Sequence, residues 1–160
     1  MFVVDIVPKL AKNSVLRLCK MGKYLGLDVG DKTIGVAISD ELKWMAQPVK
    51  TIIRIGKKKD YAAIAELLNA QDIEKIVVGL PKNMDNSIGL QAEKAIAFGE
   101  GLKKRFDVLV EFADERLTTS RSTQILIENG IRRENRKQFV DQVAAVQILQ
   151  TVLDLERSRA

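Results

Sequence analysis

The amino-acid sequence predicts an α/β fold: a mixed five-stranded sheet flanked by helices, with three antiparallel strands followed by β/α units. Three observations predict it. The apolar segments Tyr24–Val29 and Thr33–Asp40 are separated only by a short glycine turn, which is typical of an antiparallel hairpin. The run Ile76–Leu80 is apolar without interruption, as in a strand buried on both faces. Around and after that run, helical and strand-like segments alternate, which favours strands joined by helices.

The first half of the chain supplies the antiparallel strands and one helix. In Thr33–Asp40 large aliphatic residues alternate with small ones, so this strand has one face of small residues. A third strand is predicted near Val49–Ile55. The basic loop Gly56–Lys59 then leads into a helix that we expect to begin at Asp60, because an acidic residue is favoured in the first turn.

The second half continues with helices and strands in turn. A polar loop follows the buried strand, and a long helix is predicted over roughly Ile88–Arg105. A strand follows at Val108–Phe112 and a helix at about Thr119–Asn129, which ends at an Asn-Gly stop signal. The last helix is predicted over Phe139–Leu155.

The domain organisation is simple. Residues 23–156 contain no repeat, low-complexity tract or linker, and their length suits a single domain. Residues 1–22 are expected to be an N-terminal extension of uncertain order. Their apolar part is short and interrupted by Asp5, which fits neither a signal peptide nor a membrane span. Met21 is a plausible alternative start.

The composition excludes several kinds of catalytic site. The chain has no histidine, which excludes Ser-His and Cys-His dyads and His-rich zinc sites. Cys19 is the one cysteine, so an internal disulfide is excluded and a cytoplasmic location is expected. The net charge of +5 suggests polyanionic partners, whereas 5% aromatic residues make extensive base stacking an unlikely mode of binding. Catalysis would fall to carboxylates, hydroxyls, lysines or a metal.

Three carboxylates occupy positions where a folded chain rarely places charges. Asp28 lies near the end of an apolar strand, and Glu115 follows the carboxyl end of a later one. Asp141 shares a helical face with apolar residues three, four, seven and eleven positions on, namely Ala144, Ala145, Ile148 and Val152. Separately, each has a plain structural interpretation: a turn residue, a solvated junction residue and a first-turn acid. Burying such a carboxylate is costly unless a cation or hydrogen bonds satisfy it, and a divalent metal is the simplest way to satisfy all three.

Four separated motifs carry a resemblance to a known family. They are Gly26–Gly30 with Ile34–Ala37; Val78–Asp85; Asp114–Thr119; and Val140–Gln142 with Ala144 and Ala145. Over about Lys23–Leu155 the chain resembles the ribonuclease H-like superfamily and, within it, the YqgF (RuvX-like) family of Holliday junction resolvases and ribosomal-RNA maturation nucleases. One departure is Asn86, where the family commonly has glycine. Because asparagine tolerates left-handed backbone conformations, we expect the loop to keep its shape.

The resemblance implies a ribonuclease H-like fold and a function. Asp28, Glu115 and Asp141 match the family's acidic trio, which holds Mg²⁺ or Mn²⁺ and catalyses hydrolysis of phosphodiester bonds in nucleic acid. A pair of ions roughly 3.5–4 Å apart can both activate a water and stabilise the leaving oxygen, so no histidine is needed. The role implied is maturation of the 5′ end of precursor 16S rRNA in ribosome biogenesis, or alternatively resolution of Holliday junctions in DNA.

Contacts to the nucleic acid are expected from basic and amide side chains around this trio, because such groups match phosphate oxygens. They are Lys32, Lys82, Asn83, Arg116, Arg132, Arg133 and Lys137. A solvated basic surface is the competing interpretation for each.

Two other classes of function stay open on the sequence. A nucleotide-binding phosphotransferase begins with a similar Leu-Asp-x-Gly hairpin, although such enzymes need two lobes and this chain has length for one. A non-catalytic RNA-binding assembly factor would keep the carboxylates without using them. The sequence does not choose between RNA and DNA, or between a monomer and a homodimer.

Overall fold

The computed structural model of the chain describes residues 22–115 and 136–159. The strands are β1 (Lys23–Val29), β2 (Thr33–Ser39), β3 (Ala46–Ile53), β4 (Ile73–Leu80) and β5 (Leu109–Asp114). The helices in these residues are α1 (Lys57–Ala70), α2 (Leu90–Arg105) and α3 (Arg136–Arg159). The predicted helix at Thr119–Asn129 lies outside the described part of the chain. None of α1, α2 or α3 is long and apolar enough to span a bilayer.

The five strands form one sheet in the order β3-β2-β1-β4-β5. Strands β1, β2 and β3 pair antiparallel, whereas β4 pairs parallel to β1 and β5 parallel to β4. The predicted mixed five-stranded sheet is therefore confirmed. The third strand begins earlier than expected, at Ala46, and it includes Pro48. Proline is tolerated there because β3 is an edge strand, and the pairing register shifts beside it.

The predicted start of the first helix at Asp60 is wrong. Helix α1 begins at Lys57, so the lysine run forms its first turn, and the Asp60 amide donates to the Gly56 carbonyl at 2.9 Å. Asp60 is buried and accepts a 2.9 Å ion-pair hydrogen bond from Arg54 Nε. The aspartate binds a neighbouring strand end, and sequence periodicity alone carries no signal for such a tertiary contact.

The two faces of the sheet carry different cores. On one face, β1 contributes Leu25, Leu27 and Val29 to a cluster that includes Ile64 of α1 and Leu102 of α2. The opposite face is covered by α3, whose buried residues pack on the sheet. They are Ala145, Ile148, Leu149, Val152 and Leu153.

Strand alternation decides which way the first carboxylate points. Successive side chains of a strand project to opposite faces. Because Leu27 and Val29 belong to the α1/α2 cluster, Asp28 between them faces α3. The apolar register predicted for the last helix is confirmed, since Ala145, Ile148 and Val152 are buried against this same face.

Candidate active site

Asp28 reaches the site from the carboxyl end of β1. It is the sixth residue of that strand and is partly buried. Across the antiparallel pair it lies opposite Gly35 of β2. A glycine at this position leaves space on the α3 side, because a Cβ atom there would lie 1.9 Å from the Asp141 carbonyl oxygen. The glycine therefore lets α3 approach the sheet beside Asp28.

Glu115 reaches the same region from β5. It directly follows Asp114, the last residue of that strand, and Gly79 of β4 pairs with Ala113 beside it. A Cβ atom on Gly79 would lie 2.3 Å from Glu115 Oε1 and 2.5 Å from Ile148 Cδ1. The glutamate side chain thus lies across β4 toward β1, in space that a larger residue at position 79 would fill.

Asp141 comes from α3 and is held by the sheet. Its backbone sits against Gly35, and its Oδ2 accepts a 2.5 Å hydrogen bond from the Thr33 hydroxyl. The following residue, Gln142, donates from its Nε2 to Thr51 Oγ1 at 3.1 Å. These two side-chain bonds connect the N-terminal part of α3 to β2 and β3.

The three carboxylates act on one another electrostatically. Burial, and then the nearby charge of Asp141, raise the pKa of Asp28 to about 6. Burial, and then the charge of Asp28, raise the pKa of Glu115 to about 7. A hydrogen bond joins Asp28 and Glu115, and it lowers the pKa of Asp28 while raising that of Glu115. A proton shared by two carboxylates partly relieves their repulsion.

This donor set suits a hard divalent cation in its chemistry. Carboxylate oxygens are the ligands that Mg²⁺ and Mn²⁺ prefer, and a cation would relieve the same repulsion that the shared proton relieves. Among residues 22–115 and 139–159, however, no three acidic or thiol side chains are arranged as a finished metal cage. Instead, Glu115 bonds Asp28, and Asp141 bonds Thr33. Metal binding would replace the first of these bonds.

Comparisons with known proteins place the chain in a family. A family model described as "RuvX: Holliday junction resolvase" matches residues 22–155. The chain belongs to the RuvX family. It is 49% identical to a Clostridioides difficile protein over 84% of this chain and 96% of that protein. It is 50% identical to one from Caldanaerobacter subterraneus, over 85% and 99%. Both relatives bear the name "Putative pre-16S rRNA nuclease".

Solved structures agree on the fold. Thermus thermophilus RuvC in complex with a Holliday junction substrate aligns with a TM-score of 0.55 at 13% identity, over 85% of this chain and 96% of that one. The fowlpox virus resolvase bound to junction DNA aligns with a TM-score of 0.53, also at 13% identity, over 84% and 98%. The chain therefore shares the ribonuclease H-like fold with these two structures.

Only some of the residues predicted to contact nucleic acid lie in the described part of the chain. Lys32 is exposed in the β1–β2 turn, and Lys82 and Asn83 lie in the loop after β4, where Asn83 Nδ2 donates to Ser87 Oγ at 2.9 Å. The same loop contains Asn86 at φ 67°, so the expected left-handed asparagine is confirmed. The remaining predicted contacts lie outside the described part of the chain. They are Arg116, Arg132, Arg133 and the side chain of Lys137.

Three residues that build the site were not predicted to do so. They are Thr33, Gly35 and Gly79, which contact Asp141 or Glu115 directly. A signal for the first two was present, because they belong to the small-residue face of β2. Sequence alone did not indicate that this face receives a helix carrying a carboxylate. Gly79 sits in an uninterrupted apolar run, where periodicity does not distinguish the two faces.

Proposed function

We propose that this chain is a metal-dependent endonuclease that hydrolyses phosphodiester bonds in precursor 16S rRNA, at its 5′ end, during ribosome biogenesis. The observation that carries the proposal is the convergence of Asp28, Glu115 and Asp141 from β1, β5 and α3, with the pKa values of two of them raised by burial and mutual repulsion. Family membership supports the reaction type, and relatives about 50% identical support the substrate. Such a substrate would place the protein in the cytoplasm.

The protein's own part in the reaction would be to bring negative charges together at the carboxyl ends of β1 and β5, beside α3. Asp28, Glu115 and Asp141 would hold Mg²⁺ or Mn²⁺. When bound, such a cation supplies an activated water and stabilises the leaving oxygen of the phosphodiester. Asp28 and Glu115 would have to be deprotonated to hold the cation, so cation affinity should rise with pH through the range of their raised pKa values.

Substrate positioning would come from the turn and loop next to the trio. Lys32 follows Asp28 by four residues, and Lys82 and Asn83 follow the carboxyl end of β4. Lysine charges at these positions favour a polyanion without selecting sequence. Arg116, Arg132, Arg133 and Lys137 are proposed as further contacts on the same basis.

A direct cleavage assay tests the proposal. Labelled precursor 16S rRNA and a four-way DNA junction would be incubated with the protein in Mg²⁺, Mn²⁺ or EDTA. We expect cleavage of the RNA with either metal, none in EDTA, and none with Asp28→Asn or Asp141→Asn. Asp31→Asn is a matched control, because Asp31 lies three residues from Asp28 and pairs with Lys94 at 2.6 Å, outside the trio. Cleavage that persists in EDTA or in Asp141→Asn would overturn the mechanism.

Junction resolution is the second candidate function. The family description and the fold shared with two junction-bound resolvases favour it. The assay separates the two: metal-dependent cutting of the four-way junction with the RNA left intact would assign DNA as the substrate and keep the trio's role. Binding of RNA without cleavage, with function retained in Asp28→Asn, would instead assign a non-catalytic assembly role.

A further inference from the structure

Thr33 connects two of the elements that carry the carboxylates. It is the first residue of β2, and its hydroxyl donates to Asp141 Oδ2 on α3 at 2.5 Å. Its backbone carbonyl accepts from the Gly30 amide at 2.9 Å, which closes the turn two residues after Asp28. One residue therefore contacts both the turn that follows Asp28 and the side chain of Asp141.

The hydroxyl bond has a directional consequence for Asp141. A carboxylate has two oxygens, and the Thr33 bond occupies Oδ2. The bond restricts rotation about the side-chain bonds of Asp141, so it also fixes the direction in which Oδ1 points. A hydrogen bond to an ionised carboxylate is stronger than one between neutral groups, and it holds the side chain in one orientation. Outer hydrogen bonds of this kind set the affinity of the ligands they hold.

We infer that Thr33 is a positioning residue for the proposed metal site: its hydroxyl orients Asp141 so that one carboxylate oxygen faces Asp28 and the cation. The inference rests on the proposed function, because it assumes that the trio binds a divalent cation. Thr33 does not itself touch the substrate in this role.

The chain offers a matched control for a merely structural bond. Thr51 on β3 makes the neighbouring contact, accepting from Gln142 Nε2 at 3.1 Å. It joins the same turn of α3 to the sheet as Thr33 does, but its partner is not a carboxylate of the trio. Replacing either threonine by the similarly shaped valine removes a hydroxyl that holds α3. Only Thr33→Val removes the hydrogen bond to Asp141.

The test measures Tm by thermal unfolding at pH 8 over a series of Mg²⁺ concentrations. The midpoint is the Mg²⁺ concentration that produces half of the total rise in Tm. We expect Thr33→Val to raise the midpoint Mg²⁺ concentration about tenfold, within the range that outer hydrogen bonds to metal ligands command. Thr33→Ser keeps the donor and should stay close to wild type. Thr51→Val should lower the metal-free Tm without moving the midpoint. In an Asp141→Asn background, Thr33→Val should add no further loss.

The outcomes separate this inference from the proposed function. A midpoint unchanged in Thr33→Val, with a clear Mg²⁺ response in wild type, overturns the positioning role alone. An equal loss in Thr51→Val and Thr33→Val also overturns it, because it assigns the effect to helix attachment. No Mg²⁺ or Mn²⁺ response in wild type contradicts metal binding itself. If Thr33→Val does not fold, the comparison of Thr33→Ser with Thr33→Ala carries the same distinction.

Discussion

The same strands form both faces of the sheet, but the two faces carry different kinds of side chain. Toward α1 and α2, β1 presents Leu25, Leu27 and Val29, each buried among large aliphatic and aromatic side chains. Toward α3, the alternate positions of β1 include Gly26 and Asp28. A Cβ atom on Gly26 would lie 2.8 Å from Leu149 Cβ, so the helix lies very close to the strand.

One face of the sheet therefore contributes mainly to stability, and the other carries the proposed chemistry. The α1/α2 face buries large apolar side chains, and such burial is the main favourable contribution to folding. The α3 face uses small residues to admit a helix and three carboxylates, and burial and neighbouring charge raise the pKa values of Asp28 and Glu115. Changes on the first face should alter the free energy of unfolding, whereas changes on the second should alter cation binding and pH dependence.

The largest expected effect on stability is on the α1/α2 face. Leu102 of α2 is fully buried there. Leu102→Ala should lower the free energy of unfolding by about 2–5 kcal/mol, because it removes buried methyl groups and leaves a cavity. Urea unfolding measures the loss. The Mg²⁺ midpoint of the variant should match wild type, and a shifted midpoint would show that the two faces are not independent.

Gly35→Ala should be next in size and should affect both quantities. Its Cβ atom would lie 1.9 Å from the Asp141 carbonyl oxygen, so α3 has to move. We expect a loss of about 1–3 kcal/mol, as for overpacked cores, together with a weaker Mg²⁺ response. Gly89→Ala is the control, because its Cβ atom would contact only the Asn83 side chain, with Nδ2 nearest at 3.3 Å. Similar behaviour of the two variants would contradict the tight approach of α3.

The pH dependence of stability should report the carboxylates. The pKa values of Asp28 and Glu115 are raised to about 6 and about 7 from 3.8 and 4.5. Between the ordinary and raised values the folded state binds more protons than the unfolded state, so stability falls as pH rises from about 4 to about 7. Metal-free protein should therefore lose stability from this source across that window.

Asp28→Asn checks the origin of this slope. Removing one charge relieves the repulsion, so the variant should be more stable than wild type above pH 7 in EDTA and show a flatter profile. Saturating Mg²⁺ should flatten the wild-type profile as well, because the cation replaces the proton. Denaturant midpoints measured at several pH values test both statements. A wild-type profile that rises steadily from pH 4 to 8 in EDTA would contradict the raised pKa values.

The smallest effect is expected away from both packed faces. Lys82 lies in the loop after β4 and is proposed to contact phosphate. Lys82→Ala should weaken RNA binding only modestly and lower the salt dependence of log K by about one unit, without changing stability. Filter binding at several salt concentrations measures this. An unchanged salt slope would remove Lys82 from the binding surface.

The sheet was predictable from the sequence because its signals are local. The hairpin turn after β1 and the apolar run of β4 set the antiparallel and parallel parts, and both are confirmed. Boundaries that depend on tertiary contacts were not predictable. Asp60 was assigned to the helix start, whereas α1 begins three residues earlier, and Asp60 in its first turn forms an ion pair with Arg54. Nothing in the local sequence distinguishes these two roles.

The sequence indicated candidate residues for the site, but it said less about their surroundings. Asp28 and Asp141 stand out because each breaks an apolar pattern, and such a break has a physical cost that requires a reason. Glu115 was found through motif resemblance rather than periodicity. Thr33 and Gly79 were missed, since their importance depends on which side chain arrives from another element. That information is absent from the spacing of the residues themselves.

Carboxyl-carbon NMR titration of metal-free protein tests most directly whether the three acids share one site. We predict that Asp28 titrates near pH 6 and Glu115 near pH 7, and that Asp141→Asn lowers the pKa of Asp28 because a neighbouring negative charge is gone. Both groups titrating near pH 4, with no response to Asp141→Asn, would contradict the account.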